Sequence, residues 1–175
     1  MRIFPLALAL AACAPTPGAP PQFDRPVFTP TSIAGPLLAA HNRERAAAGS
    51  PPLVWDPTLA AAASAYARQL AREGRLRHAP KSQRPGQGEN LWIGTAGAYP
   101  VETMVGSWTA ERRHFRPGRF PATSRTGNWA HTGHFTQMIW PATRHLGCGV
   151  GRSARWEVLV CRYSPPGNVD GVRVG

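Results

Sequence analysis

Few residues in this chain are equipped for chemistry, and one acid stands out by position. The expected third helix opens at Pro100 and carries Val101, Met104, Val105, Trp108 and Phe115 along one stripe. Glu111 follows Trp108 by three positions and Met104 by seven, so helical spacing sets it in the middle of that apolar stripe. A carboxylate there is costly unless it is paired, hydrogen-bonded or close to a cation. Other chemistries lack their parts. The only aspartates are Asp24, Asp56 and Asp170, and no Gly-x-Ser-x-Gly elbow occurs, which argues against a serine hydrolase. No His-Glu-x-x-His helix marks a metallohydrolase.

The three cysteines divide in two ways. Cys148 and Cys161 fall in two strand-like segments, 147–150 and 156–163, around a loop rich in Gly, Arg and Ser. A symmetric hairpin centred between Ala154 and Arg155 sets them opposite each other, a register compatible with a disulfide. Such a pairing leaves Cys13 as the odd one. Arg2 is followed by an apolar stretch from Ile3 to Ala12, too short to span a membrane as a mature helix. It ends Leu10-Ala11-Ala12-Cys13, which resembles a bacterial lipoprotein box, and that resemblance implies acylation of Cys13. The expected organisation is a signal peptide over 1–12 and a lipidated, proline-rich tether over 13–32. A single domain follows over 33–170, with a tail at 171–175.

The rest of the chain must position these groups. At 175 residues, 42% hydrophobic and 17% charged, it suits one globular domain with a sizeable core. A first helix is expected from near Pro36 to Gly49. A second runs from the Asp56 cap and Pro57 to Gly74, with Leu59, Ala63, Tyr66 and Leu70 on its buried face. Residues 79–88 read as a loop, and Leu91-Trp92-Ile93 as a short apolar segment. Helices followed by a terminal hairpin point to an α+β layered fold. The net charge is +11, and Lys81 is the only lysine. An arginine-rich surface suits nucleic acid, anionic lipid or a wall polymer. The arginines are scattered and no nucleic-acid module is present, so no specific nucleic-acid partner is expected.

Several segments then fall into a pattern: His41-Asn42-Arg43-Glu44-Arg45, Gly88-Glu89-Asn90-Leu91, Trp108-Thr109-Ala110-Glu111 and Gly133-His134-Phe135-Thr136-Gln137-Met138-Ile139-Trp140. Cys148-Gly149-Val150 and the run from Val160 to Asn168 complete it. In this order they resemble the cysteine-rich secretory and pathogenesis-related proteins, whose domains are called CAP or SCP. The resemblance covers roughly 35–168. It implies an α-β-α sandwich with a small antiparallel sheet between helical layers. It also implies a cavity lined by two histidines and two glutamates, which map to His78, Glu89, Glu111 and His134. Neutral imidazoles suit zinc or a similar ion, with the carboxylates as ligands or orienting partners. From spacing alone, a buried hydrogen-bonded network is the favoured reading of such a set, and the resemblance turns the balance toward a metal.

The remaining polar residues read as structural. His41, Asn42 and Arg45 are expected to brace the first helix, and Asn168 to shape a turn. His114, His131 and His145 are expected on solvated surface. The functional expectation is a monomeric, membrane-anchored binding module in the cell envelope, outer membrane or periplasm, or else secreted. Its ligand would be a lipid, glycan or peptide. The alternative is a zinc-dependent hydrolase acting on envelope material or peptides. The missing hydrolase motif favours binding over catalysis.

Overall fold

A computed structural model describes residues 30–175. The expected signal segment and Cys13 lie outside the described residues.

Helix α1 spans Pro30–Ala47 and contains Pro36. It therefore starts upstream of the expected Pro36, within what was read as tether. Burial supplies the reason: Ile33 and Leu37 are both almost fully enclosed in the core, and packing of an apolar face outweighs local propensity. Helix α2, Pro57–Glu73, follows its sequence signals closely. The Asp56 side chain accepts from the N–H groups of Thr58 and Leu59, Pro57 opens the helix, and Gly74 closes it at φ 68°.

Helix α3 spans only Val101–Thr109. A 3-10 turn, Ala110–His114, continues it and carries Glu111. The expectation that Glu111 lies within an α-helical apolar stripe is thus corrected. The tighter turn swings its half-buried carboxylate toward the short helix α4, Gly133–Met138. There it accepts two backbone N–H groups, described below.

The main sheet has the order β1-β4-β5-β2. Its strands are β1 (Val54–Trp55), β2 (Gly88–Thr95), β4 (His145–Arg152) and β5 (Trp156–Ser164). β4, β5 and β2 are antiparallel neighbours, while β1 pairs parallel to β4. On one face, Leu146, Cys148, Leu159, Cys161 and Tyr163 join the core with α1, α3 and α4. On the other, Val158 and Val160 pack with Ala63, Ala67 and Leu70 of α2. This is the α-β-α sandwich.

The α2 contact depends on glycine. Gly147, Gly149 and Gly151 alternate along β4, and a Cβ on any of them would overlap the α2 backbone at Ala60, Ser64 or Ala67–Arg68. Helix and strand therefore approach backbone to backbone. Cys148 and Cys161 are register partners and form a disulfide. β3 (Gly118–Arg119) and β6 (Arg173–Val174) form a second, two-stranded sheet. Val174 is fully buried, so the expected tail is part of the fold.

Candidate functional site

Four elements converge on one cleft. Its volume is about 980 Å³, and its walls include His78, Lys81, Glu89, Phe120, Trp129 and His134.

Glu89 enters from the start of β2. Its side chain is fully buried and surrounded by donors. Oε1 lies 2.8 Å from His78 Nδ1 and accepts from the Ala79 N–H at 3.0 Å. Oε2 lies 2.8 Å from Arg162 Nε in a buried ion pair whose alignment falls short of a hydrogen bond. Arg84 Nε adds a longer contact at 3.9 Å. Burial lowers the Arg162 guanidinium from its usual range, while Glu89 pulls it back up.

His134 is the second residue of α4. Its Nδ1 lies 2.6 Å from Glu111 Oε1. Glu111 Oε2 accepts from the backbone N–H of His134 at 2.9 Å and of Phe135 at 3.1 Å. These contacts compensate the half-buried carboxylate that the sequence marked as anomalous. The indole of Trp108 stacks on the His134 ring, with centroids 5.9 Å apart and planes 12° from parallel. In both pairs a carboxylate, which only accepts, faces Nδ1. The neutral imidazole then carries its proton on Nδ1 and keeps its lone pair on Nε2.

The four expected site residues therefore form two carboxylate–histidine pairs. His78, Glu89 and His134 line the same cleft, and Glu111 stands behind His134. Among the described residues, no three His, Cys, Asp or Glu side chains gather into a group that could hold a metal ion. The physical reason is that both glutamates are turned to Nδ1 atoms, backbone amides and arginine.

A polar chain ties the site to the core. Asn90 Nδ2 donates to His134 O and to the Tyr163 hydroxyl, each at 3.1 Å. That hydroxyl lies 2.8 Å from His41 Nε2, and His41 Nδ1 lies 2.7 Å from Leu37 O. Since a carbonyl accepts, Nδ1 is the donor and Nε2 accepts from tyrosine. Burial pushes the His41 imidazole down to about 4, so it is neutral near pH 7. Burial also raises the Tyr163 phenol well above its usual range.

The other sequence readings fall into place. Arg45 is fully enclosed and donates to the carbonyls of Pro51, Met138, Trp140 and Thr143. Burial lowers it to about 10, with Arg144 adding repulsion, so it remains a cation at neutral pH. Asn42 pairs both backbone groups of Leu53. Both residues brace α1 as expected. Asn168, at φ 55°, bonds Thr136 and Gly133 O and closes its turn. His114, His131 and His145 are not buried, and none lines the cleft.

Arg162, Asn90, Tyr163 and Trp108 are the site residues that sequence reading missed. Arg162 had a signal. It follows directly on the apolar run Val158–Cys161 and precedes Tyr163, a setting where a charge needs a buried partner.

Comparison with known proteins agrees with this fold. The Cysteine-rich secretory protein family model matches residues 38–163. A pathogenesis-related protein of PR-1 type from Sambucus nigra is 36% identical over 136 residues, covering 77% of both chains. The secreted protein RBT4 of Candida albicans is 35% identical over 145 residues, 81% of this chain and 37% of that protein. Among solved structures, NaASP2 with Zn2+ superposes with a TM-score of 0.65 at 23% identity, over 79% of this chain and 82% of the other. The motif order, the sandwich around the His/Glu cleft and these matches lead to one conclusion: the chain belongs to the cysteine-rich secretory protein family.

Proposed function

We propose that this chain is an exported binding module, anchored at the cell envelope through Cys13, which holds a lipid, glycan or peptide in its cleft. The observation that carries this reading is the cleft of about 980 Å³, whose polar groups are already locked by internal partners. That volume lies at the upper end of ligand pockets and suits an extended molecule. Lys81 and Arg84 favour an anionic group on the ligand. Phe120 and Trp129 favour an apolar segment or the face of a sugar ring. The identity to a secreted fungal relative supports export.

The same reading extends to a labile zinc site, for which the cleft supplies two imidazoles and no third ligand among the described residues. His78 and His134 would hold the ion through Nε2, with Glu89 and Glu111 orienting the rings from Nδ1. Bound zinc would supply a Lewis acid able to polarise a ligand oxygen. Two imidazoles alone make a weaker site than a three-histidine catalytic centre. Glu89 and Glu111 are held by their own partners, so neither is poised as a general base, and this supports binding over the hydrolase reading.

Calorimetric titration with zinc near pH 7 tests the metal reading. His78→Ala and His134→Ala should each weaken binding strongly, and acidification should weaken it because protons compete for the imidazoles. Zinc binding by the double histidine variant equal to wild type overturns it. A panel of lipids, glycans and peptides, with product analysis on the zinc-loaded protein, separates binding from turnover. Labelling with a fatty acid should tag the wild type and spare Cys13→Ser.

A further inference from the structure

The 3-10 turn and the loop after it carry positive charge with almost no acidic partner among the described residues. Between positions 112 and 125 the chain holds Arg112, Arg113, Arg116, Arg119 and Arg125, and no acidic residue. All are exposed. Arg112 reaches Glu44 at 3.5 Å. Among the described residues the others bond neutral groups or none: Arg113 donates to His114, Arg119 to Gly171 O, and Arg125 to Phe115 O. The β3–β6 pairing then sets Arg119 directly opposite the exposed Arg173. Like charges in opposed register are destabilising. The nearby Asp170 forms no ion pair among the described residues. The fold thus keeps an uncompensated cationic ridge.

Apolar groups stand beside it. Trp129, Val169 and Val172 are 48%, 46% and 41% exposed, and they make up half of the exposed large hydrophobics among the described residues. Phe120 links two of them, since its N–H donates to Val172 O at 3.0 Å and its ring meets Trp129 at 5.5 Å, and the Val172 N–H in turn donates to Val169 O at 3.2 Å. Arginine with exposed tryptophan and valine matches the lipid–water interface. Guanidinium forks engage phosphates, and an indole sits at headgroup depth. A soluble polyanion would use the arginines but leave the valines in water. We propose that the 112–125 loop and the β3–β6 sheet form a docking surface for an anionic phospholipid bilayer. Arg116, Arg119 and Arg173 meet the phosphates, and Trp129, which also lines the cleft, enters the interface.

The test uses the full chain with Cys13→Ser, so that no acyl chain contributes, and vesicles of phosphatidylcholine with or without phosphatidylglycerol. Sedimentation should show binding only to the anionic vesicles, weakening as salt rises. Combined Arg116→Gln, Arg119→Gln and Arg173→Gln should lower partitioning on the order of a hundredfold. Trp129→Ala should lower it severalfold at constant charge. All four positions are exposed, and unchanged near-ultraviolet dichroism of the variants verifies the fold. A control with Arg68→Gln, Arg72→Gln and Arg75→Gln removes the same charge from the exposed face of α2 and the turn after it, and should stay within about twofold of wild type. Equal loss in both triple variants overturns the proposal, because net charge alone then explains adhesion. Binding to heparin that depends on the patch, without vesicle binding, overturns the choice of a bilayer.

Discussion

Arg162 and Glu89 are directly opposed on β5 and β2, and their side chains meet 2.8 Å apart at 3% and 0% exposure. Glu89 lines the His78 side of the cleft, and Arg162 supports it from β5. Removing one partner of a buried pair strands the other, at a cost of about 3–5 kcal/mol. Here His78 and the Ala79 amide still bond Glu89, so the lower end is expected for Arg162→Met. Adding Glu89→Gln should recover part of the loss. Urea unfolding of the single and double variants measures both steps, and additive losses would show that the two residues do not act as a pair.

His41 makes stability fall in mild acid. Its imidazole is held at about 4 in the fold against 6.5 when free, with burial as the main cause. The unfolded chain therefore takes up a proton that the folded chain refuses. The contribution is fully present above pH 6.5 and is lost as pH falls toward 4, amounting to about 3 kcal/mol by the end of that window. Urea midpoints across this range should fall for wild type. They should be flatter for His41→Gln, which cannot titrate. Equal slopes would place the acid sensitivity elsewhere.

Local signals were legible where the chemistry is local. Asp56, Pro57 and Gly74 mark the ends of α2 because caps act within one turn. The mirrored cysteines predict the β4–β5 register because a hairpin counts residues symmetrically. Elements set by distant contacts were not legible. Glu111 leaves the α-helix to reach amides 23 and 24 positions away. α1 gains turns upstream of Pro36 because Ile33 finds a core that only the folded chain provides. That His78 and Glu89 share a cavity came from family resemblance, whereas their direct pairing at 2.8 Å was not legible, since nothing in their spacing requires it.

The glycines of β4 should be intolerant of any side chain. A Cβ at Gly149 overlaps the Ser64 backbone, and backbone cannot rotate away. Gly149→Ala should destabilise by about 1–3 kcal/mol through overpacking, and Gly149→Val by more. Gly106, where an added Cβ would meet nothing within 4 Å, is the control. Its replacement by alanine in the interior of α3 should be neutral or stabilising by up to about 1 kcal/mol. Thermal midpoints of the three variants give the order, and a harmless Gly149→Ala would mean that α2 can lift from the sheet.

The Cys148–Cys161 bridge closes a loop with a sequence separation of 13, which in the chain-entropy account contributes about 3 kcal/mol or less. Both residues are fully buried against the α1–α3–α4 layer, so a reductant reaches the sulfurs only when β4 and β5 separate. Mild reductant should therefore leave the native protein bridged and act readily once urea unfolds it. Cys148→Ala with Cys161→Ala should lower the urea midpoint. It should also steepen the transition, because an uncrosslinked unfolded chain exposes more surface. Mass spectrometry of non-reduced protein should find the cross-linked peptide. Two free thiols in protein isolated from an oxidising compartment, or a bridge that opens rapidly under native conditions, would contradict this account of the hairpin.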